Sequence, residues 1–123
     1  YTRVEGFLSP MGPLVPKGDP FPTSSALSGS RTRPLKLRLF CGDTNLSGSL
    51  VGAPQIVSLT RDGVPLDVNK VDLDDNANSN SLLFRFSSGF WIYNMRTKLL
   101  GHGTFVITIR FANGQEYQSQ FVL

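Results

Sequence analysis

The sequence predicts an all-β domain in which two antiparallel sheets pack as a sandwich. Large apolar residues recur at every second position along 104–111 and recur again along 117–123, with Asn113–Gly114 between the two runs. Such alternation around Asn-Gly is a strong signal for a β-hairpin with one buried face. About seven short runs of this kind, at spacings of about 8–12 residues and without a useful stretch of helical periodicity, favour a two-sheet sandwich.

Residues 1–33 differ in composition from the rest and are predicted to form an extended, Pro/Gly/Ser-rich N-terminal arm. Six of the eight prolines lie in this segment or directly after it, and residues 23–30 are rich in Ser and Gly. Proline fixes φ and lacks the backbone N–H, so neither a helix nor a central strand is expected here. Apolar residues allow the arm to dock on its own sandwich or on a neighbouring copy, and the sequence leaves both open. These docking residues are Val4, Phe7, Leu8 and Met11.

Residues 34–123 are predicted to form the β-sandwich domain. Strands are expected at 35–40, 54–60, 81–86, 90–95, 104–111 and 117–123, with one or two short strands within 64–71. Clusters of Gly, Asp, Asn and Ser between these runs are typical of turns. Trp91 is expected to fill the core between the sheets. Cys41, the only cysteine, is expected to lie buried on its strand like a small apolar residue.

Three motifs resemble those of a known group of domains. Residues 90–105, which read FWIYNMRTKLLGHGTF, resemble a recurring ending of bacterial extracellular immunoglobulin-like domains. Pro34-Leu35-Lys36-Leu37 resembles the Pro-x-Lys-Phe signature of one such group, with Leu37 in place of the signature Phe. Residues 6–10, which read GFLSP, resemble the Gly-Phe-x-x-Pro that often precedes that signature. The resemblance implies an immunoglobulin-like sandwich in a secreted or cell-surface protein, often as one repeat of a larger chain, with no catalytic residues to carry over.

These observations lead us to expect a non-catalytic extracellular structural or adhesive module that is a subunit or repeat of a larger assembly. Its expected partners are neighbouring domains or other protein subunits, including copies of itself. A pairing of Cys41 with His102, the only histidine, lacks a third orienting group, and no nucleophile motif occurs. We therefore do not expect an enzyme.

The alternative function is that of a carbohydrate-binding module. Sugars stack on exposed aromatic rings, and the candidates for that role are Phe90, Trp91 and Tyr93. Because Phe90 and Trp91 are adjacent on a predicted strand, one of them must face away from the side that the other occupies. This alternative therefore requires at least one ring at the surface.

The chain is mildly basic, with a formal net charge of +3 and an isoelectric point near 9.4. Arg31, Arg33, Lys36 and Arg38 lie at alternating or nearly alternating positions and can share one face. They are either solvated strand residues that discourage pairing between sheet edges or contacts for an anionic partner such as an acidic polysaccharide or lipid headgroups. Aromatic residues are not interleaved with these charges, so nucleic acid is not expected as a partner.

A polar loop at 72–80 concentrates oxygen ligands that suit Ca²⁺. The candidate ligands are Asp72, Asp74 and Asn76, although the loop lacks the Gly and the bidentate Glu of an EF-hand. The same composition is also typical of an ordinary turn-rich loop, and both interpretations stay open. No other cofactor is expected. No run of about 18 apolar residues occurs, so no membrane span is expected either.

Overall fold

The computed structural model describes residues 3–6, 14–21, 32–46, 50–67, 82–96 and 100–123, without the side chains of residues 32 and 33. Within these ranges the chain forms ten β-strands and no helix. The strands are β1 Arg3–Gly6, β2 Val15–Pro16, β3 Thr32–Cys41, β4 Thr44–Asn45, β5 Gln55–Arg61, β6 Val64–Pro65, β7 Arg85–Ser87, β8 Phe90–Arg96, β9 Thr104–Arg110 and β10 Glu116–Val122. The described residues therefore provide no helical membrane span.

The strands form two antiparallel sheets whose order is that of an immunoglobulin-like sandwich. The first sheet runs β1-β3-β8-β7, with β4 paired to the end of β3, and the second runs β2-β10-β9-β5-β6. The first order corresponds to strands A, B, E and D of the immunoglobulin fold, while β5, β9 and β10 occupy the positions of C, F and G. The prediction of an all-β immunoglobulin-like sandwich is confirmed.

Strictly alternating strands build the core between the sheets. On β3 the residues Leu35, Leu37 and Leu39 are buried, and on β9 the inward residues include Phe105, which stacks on Phe121 of β10 with ring centroids 5.2 Å apart. Trp91 on β8 is 3 % exposed, as expected for a core residue. These four strands therefore supply the apolar interior that alternation predicts.

A β-bulge brings the fifth strand into the core. Ile56 and Leu59 are three residues apart, so strict alternation would place them on opposite faces of the sheet. The pairing of β5 with β9 shifts register between Ile56 and Ser58. The extra residue returns Leu59 to the inner face, and both Ile56 and Leu59 are fully buried.

The described parts of the N-terminal segment pair with both sheets. β1 lies antiparallel to the second half of β3, and β2 lies antiparallel to the start of β10. The Leu14 amide donates to the Gly6 carbonyl over 2.8 Å, and the Leu14 side chain is only 8 % exposed in the core. Val4 packs half-buried against the same core. Of the predicted docking residues, Phe7, Leu8 and Met11 lie outside the described ranges.

On the opposite side of the sandwich, residues 82–87 also contact both sheets. The Leu82 carbonyl accepts from the Ile56 amide over 2.9 Å, and the Phe84 amide donates to the Pro54 carbonyl over 2.9 Å. The chain then enters β7 at Arg85 and pairs with β8 in the first sheet. On each lateral side of the sandwich, hydrogen bonds of the described residues thus connect the two sheets.

Cys41 is exposed, and the prediction that it is buried was wrong. It is the last residue of β3 and lies opposite Thr44, next to the Gly42–Asp43 turn. Alternation predicts an inward side chain at Cys41, but it does not show that β3 extends beyond the edge of the core at this residue.

Candidate interaction face

The outer face of the first sheet gathers most of the charged and aromatic candidates. Because the leucines of β3 point inward, Lys36, Arg38 and Phe40 point outward. The strand registers place residues of the neighbouring strands β1, β8 and β7 beside them on the same face. We call this surface the cation–aromatic face, and it consists of Arg3, Glu5, Lys36, Arg38, Phe40, Arg85, Phe90 and Ile92.

Cations cover both phenylalanine rings of this face. The Arg3 guanidinium lies 4.2 Å from the centroid of the Phe40 ring, and the Arg38 guanidinium lies 5.7 Å from it. Arg38 also lies 4.9 Å from the Phe90 centroid, and the Lys36 ammonium lies 5.8 Å from it. Such contacts contribute about 0.5–1 kcal/mol each at exposed sites. They explain why Phe40, which is out of phase with the inward leucines, is nevertheless 9 % exposed.

A single carboxylate connects β1 to β3 on this face. Glu5 Oε2 lies 2.8 Å from Arg3 Nε, and Glu5 Oε1 accepts a hydrogen bond from Arg38 Nη2 over 2.6 Å. The register places Glu5 directly opposite Arg38. Arg3 and Arg38 are therefore both partly neutralised, and their side chains are held in place.

Two further cations flank Ile92 without an acidic partner among the described residues. Lys36 on β3 and Arg85 on β7 both lie directly opposite Ile92 on β8, one on each side. Neither forms an ion pair within the described part of the chain. Ile92 is half-buried between them. Among the described residues of this face, Lys36 and Arg85 are thus the cations that can pair with an anionic partner without first leaving an acid.

The structure brings together only part of the predicted anion-binding set. Lys36 and Arg38 share the cation–aromatic face, Arg31 lies outside the described ranges, and the side chain of Arg33 is not described. The sequence analysis missed Arg85. Its position between Phe84 and Phe86, on a strand with period-two alternation, is the signal that could have placed it on the outer face.

Two of the three aromatic candidates for sugar stacking lie in the core. Trp91 and Tyr93 are each 3 % exposed, and the Trp91 indole Nε1 donates to the Leu46 carbonyl over 3.0 Å. The Tyr93 ring packs 5.5 Å from that of Phe84. A sugar cannot reach either ring in the folded chain, so of this set only Phe90, which is half-buried, lies at the surface.

The outer face of the second sheet differs in charge. Its centre carries uncharged polar groups, and Gln118 Nε2 there donates to Thr108 Oγ1 over 3.0 Å. At one end, Glu116 accepts from Arg110 Nε over 2.9 Å and from Lys17 Nζ over 3.1 Å. These two hydrogen bonds, that of Arg110 first, hold the pKa of Glu116 below the ordinary value of a Glu carboxyl. Glu116 therefore partly neutralises both cations at this end of the face.

The remaining candidates form no site among the described residues. Asp72, Asp74 and Asn76 lie outside the described ranges, and elsewhere no three His, Cys, Asp or Glu residues are grouped to hold a metal ion. Cys41 ends β3 near the start of β8, whereas His102 follows the far end of β8. A seven-residue strand is about 23 Å long, so the two cannot form a dyad.

Comparison with known proteins yields no relative for this chain. It matches no family model, no curated protein and no solved structure among those with which it was compared. The resemblance of residues 6–10, 34–37 and 90–105 to the Pro-x-Lys-Phe group therefore stays a prediction.

Proposed function

We propose that the chain is a non-catalytic structural or adhesive module of an extracellular or cell-surface assembly and that the cation–aromatic face is its contact surface. The observation that carries this proposal is the pair Lys36 and Arg85, two cations without an acidic partner among the described residues, on either side of half-buried Ile92. Charged residues around an apolar centre are typical of surfaces that bind a partner.

The rest of the face supports this role by holding its side chains in place. Glu5 fixes Arg3 and Arg38, and Arg38 in turn lies against both phenylalanine rings. Side chains that are already ordered lose less conformational entropy when a partner binds. The face therefore resembles a preorganised contact surface more than a set of independent solvated charges.

The alternative, a module that stacks neutral sugars on aromatic rings, has weaker support. Trp91 and Tyr93 are in the core, and cations already lie over the Phe90 ring. A neutral sugar would have to displace Arg38 or Lys36 from that ring. Binding through the charges of the face requires no such displacement.

The exposed thiol of Cys41 offers a direct test, because it is the only cysteine and permits labelling at a single site. We expect the fluorescently labelled chain to bind saturably to intact cells or cell-envelope fractions of its source organism. Excess unlabelled chain should compete, and chain unfolded in urea before mixing serves as the control. A folded chain that stays unbound and monomeric in the presence of the envelope would contradict the proposal.

A further inference from the structure

We infer that the cation–aromatic face binds an acidic polysaccharide, with uronate carboxylates paired to Lys36 and Arg85. This inference rests on the proposed function and names the partner of the same surface. Three observations support it, namely the charge of the face, the spacing of Lys36 and Arg85, and the apolar side chain of Ile92 between them.

The charge of the face favours an anionic partner. Among the eight residues that define it, Arg3, Lys36, Arg38 and Arg85 oppose a single acid, Glu5, which leaves an excess of three positive charges. Glu5 pairs with both Arg3 and Arg38 and so offsets part of their charge. Within this face, most of the positive charge that Glu5 does not offset therefore lies around Lys36 and Arg85.

The geometry suits a flat chain with repeated negative charges. Lys36 and Arg85 lie on strands two apart, so their Cα atoms are separated by about 10 Å across the sheet. Ile92 lies between them and provides an apolar surface. A uronate polymer combines carboxylates at regular intervals with sugar rings whose C–H groups can pack on Ile92 while their hydroxyls remain in water.

Other anionic partners fit this face less well. Nucleic-acid bases stack on free aromatic faces, but cations lie over the rings of Phe40 and Phe90. A lipid surface would be favoured by several exposed apolar anchors on the face; of the large exposed apolar residues of the described ranges, Leu50 and Val64 lie outside the first sheet, and only Leu83 lies close to Arg85 along the chain. An acidic peptide gains most by adding a strand at a sheet edge, and the centre of a face offers it no free backbone groups.

Binding of the full-length chain to polygalacturonate, measured by isothermal titration calorimetry, tests the inference. We expect saturable binding that weakens as ionic strength rises from roughly 0.01 M to 0.15 M, because the Debye length falls from about 30 Å to about 8 Å. Dextran, which is neutral, should not bind. Binding to polyglutamate and to vesicles of anionic phospholipid, measured in the same way, tests whether the face prefers an acidic peptide or a lipid surface to the polysaccharide.

Two matched double variants separate the face from the net charge of the chain. K36Q/R85Q and K17Q/R110Q each remove two positive charges, but the second pair lies on the other sheet. We expect roughly tenfold weaker binding for K36Q/R85Q, which corresponds to about 1.4 kcal/mol, and little change for K17Q/R110Q. K36R/R85K keeps both positive charges and should bind polygalacturonate about as tightly as the original chain does.

Several results would overturn the inference. Equal losses in the two double variants would show that net charge alone attracts the polymer. Tighter binding to polyglutamate or to the vesicles would assign the face to a protein or to a membrane. A chain that binds cell envelopes but not polygalacturonate would contradict the inference of an acidic polysaccharide as ligand and would leave the proposed function intact. A chain that binds neither would contradict both the inferred ligand and the proposed function.

Discussion

Gly103 shows how a single residue determines the corner between β8 and β9. Its φ is +150°, and a Cβ atom added there would lie 2.8 Å from Asp62 Oδ2 and 2.9 Å from Arg61 Cγ. Asp62 bonds this corner twice, since its amide donates to the Thr104 carbonyl and its Oδ1 accepts from the Thr104 amide. The glycine itself is visible in the sequence. Its contacts with Arg61 and Asp62 are not, because these two residues lie about forty residues away along the chain.

Substitution of Gly103 should therefore be costly. We expect Gly103→Ala to lower the free energy of unfolding by about 2–4 kcal/mol, through backbone strain and displacement of Asp62. Urea unfolding followed by the fluorescence of Trp91, the only tryptophan, measures this change. Gly114→Ala is the matched control, because its φ is +89° but no atom lies within 4 Å of the added Cβ. A cost no larger for Gly103→Ala than for Gly114→Ala would contradict the close contact.

The pKa of Glu116 gives a second prediction at the scale of the residue. The pKa of its carboxyl in the folded chain lies below the ordinary value of a Glu, so the ion pairs contribute their full stabilisation at pH values above the pKa that this carboxyl has in the unfolded chain. That contribution is lost as the pH falls through the lowered pKa, because protonation removes the charge. We expect Arg110→Gln to raise the pKa of Glu116 more than Lys17→Gln does, as measured by NMR titration of the side-chain carboxyl carbon. An unchanged pKa in Arg110→Gln would show that the hydrogen bond is not its main cause.

At the scale of elements, alternation predicts strands well and their ends poorly. The predicted runs 35–40, 54–60 and 90–95 correspond to parts of β3, β5 and β8. The bulge next to Val57 and the pairing of residues 82–84 with β5 depend on partners distant in sequence, so no local pattern reveals them. The same limitation explains Cys41, which continues the alternation of β3 beyond the point where the core ends.

The N-terminal segment is the element whose removal should affect the fold most. Deletion of residues 1–22 removes the pairing of β1 and β2 and the buried side chain of Leu14. We expect a loss of at least about 3 kcal/mol in the free energy of unfolding, since burial of one leucine alone contributes about 1.5–3 kcal/mol. Urea unfolding of the shortened chain measures it. A truncated chain that keeps its full stability would contradict docking of the segment on its own sandwich.

At the scale of the whole molecule, the sandwich has two unlike outer faces. The cation–aromatic face of the first sheet has four cations and one acid around two phenylalanines and Ile92, whereas the centre of the outer face of the second sheet has uncharged polar groups. The sequence indicated part of this asymmetry through Lys36 and Arg38. It could not show that Arg3, Glu5 and Arg85 join them, because three separate strands bring these residues together.

The most direct measurement of the central claim, that the cation–aromatic face is the contact surface, is the change in backbone amide chemical shifts when polygalacturonate is added to the ¹⁵N-labelled chain. We expect the largest changes on β3, β7 and β8, around Lys36, Arg85 and Ile92, with β9 and β10 nearly unaffected. The K36Q/R85Q variant should lose these changes while its spectrum otherwise retains the dispersion of the folded chain. Changes concentrated on the second sheet, or spread evenly over the surface, would contradict the claim.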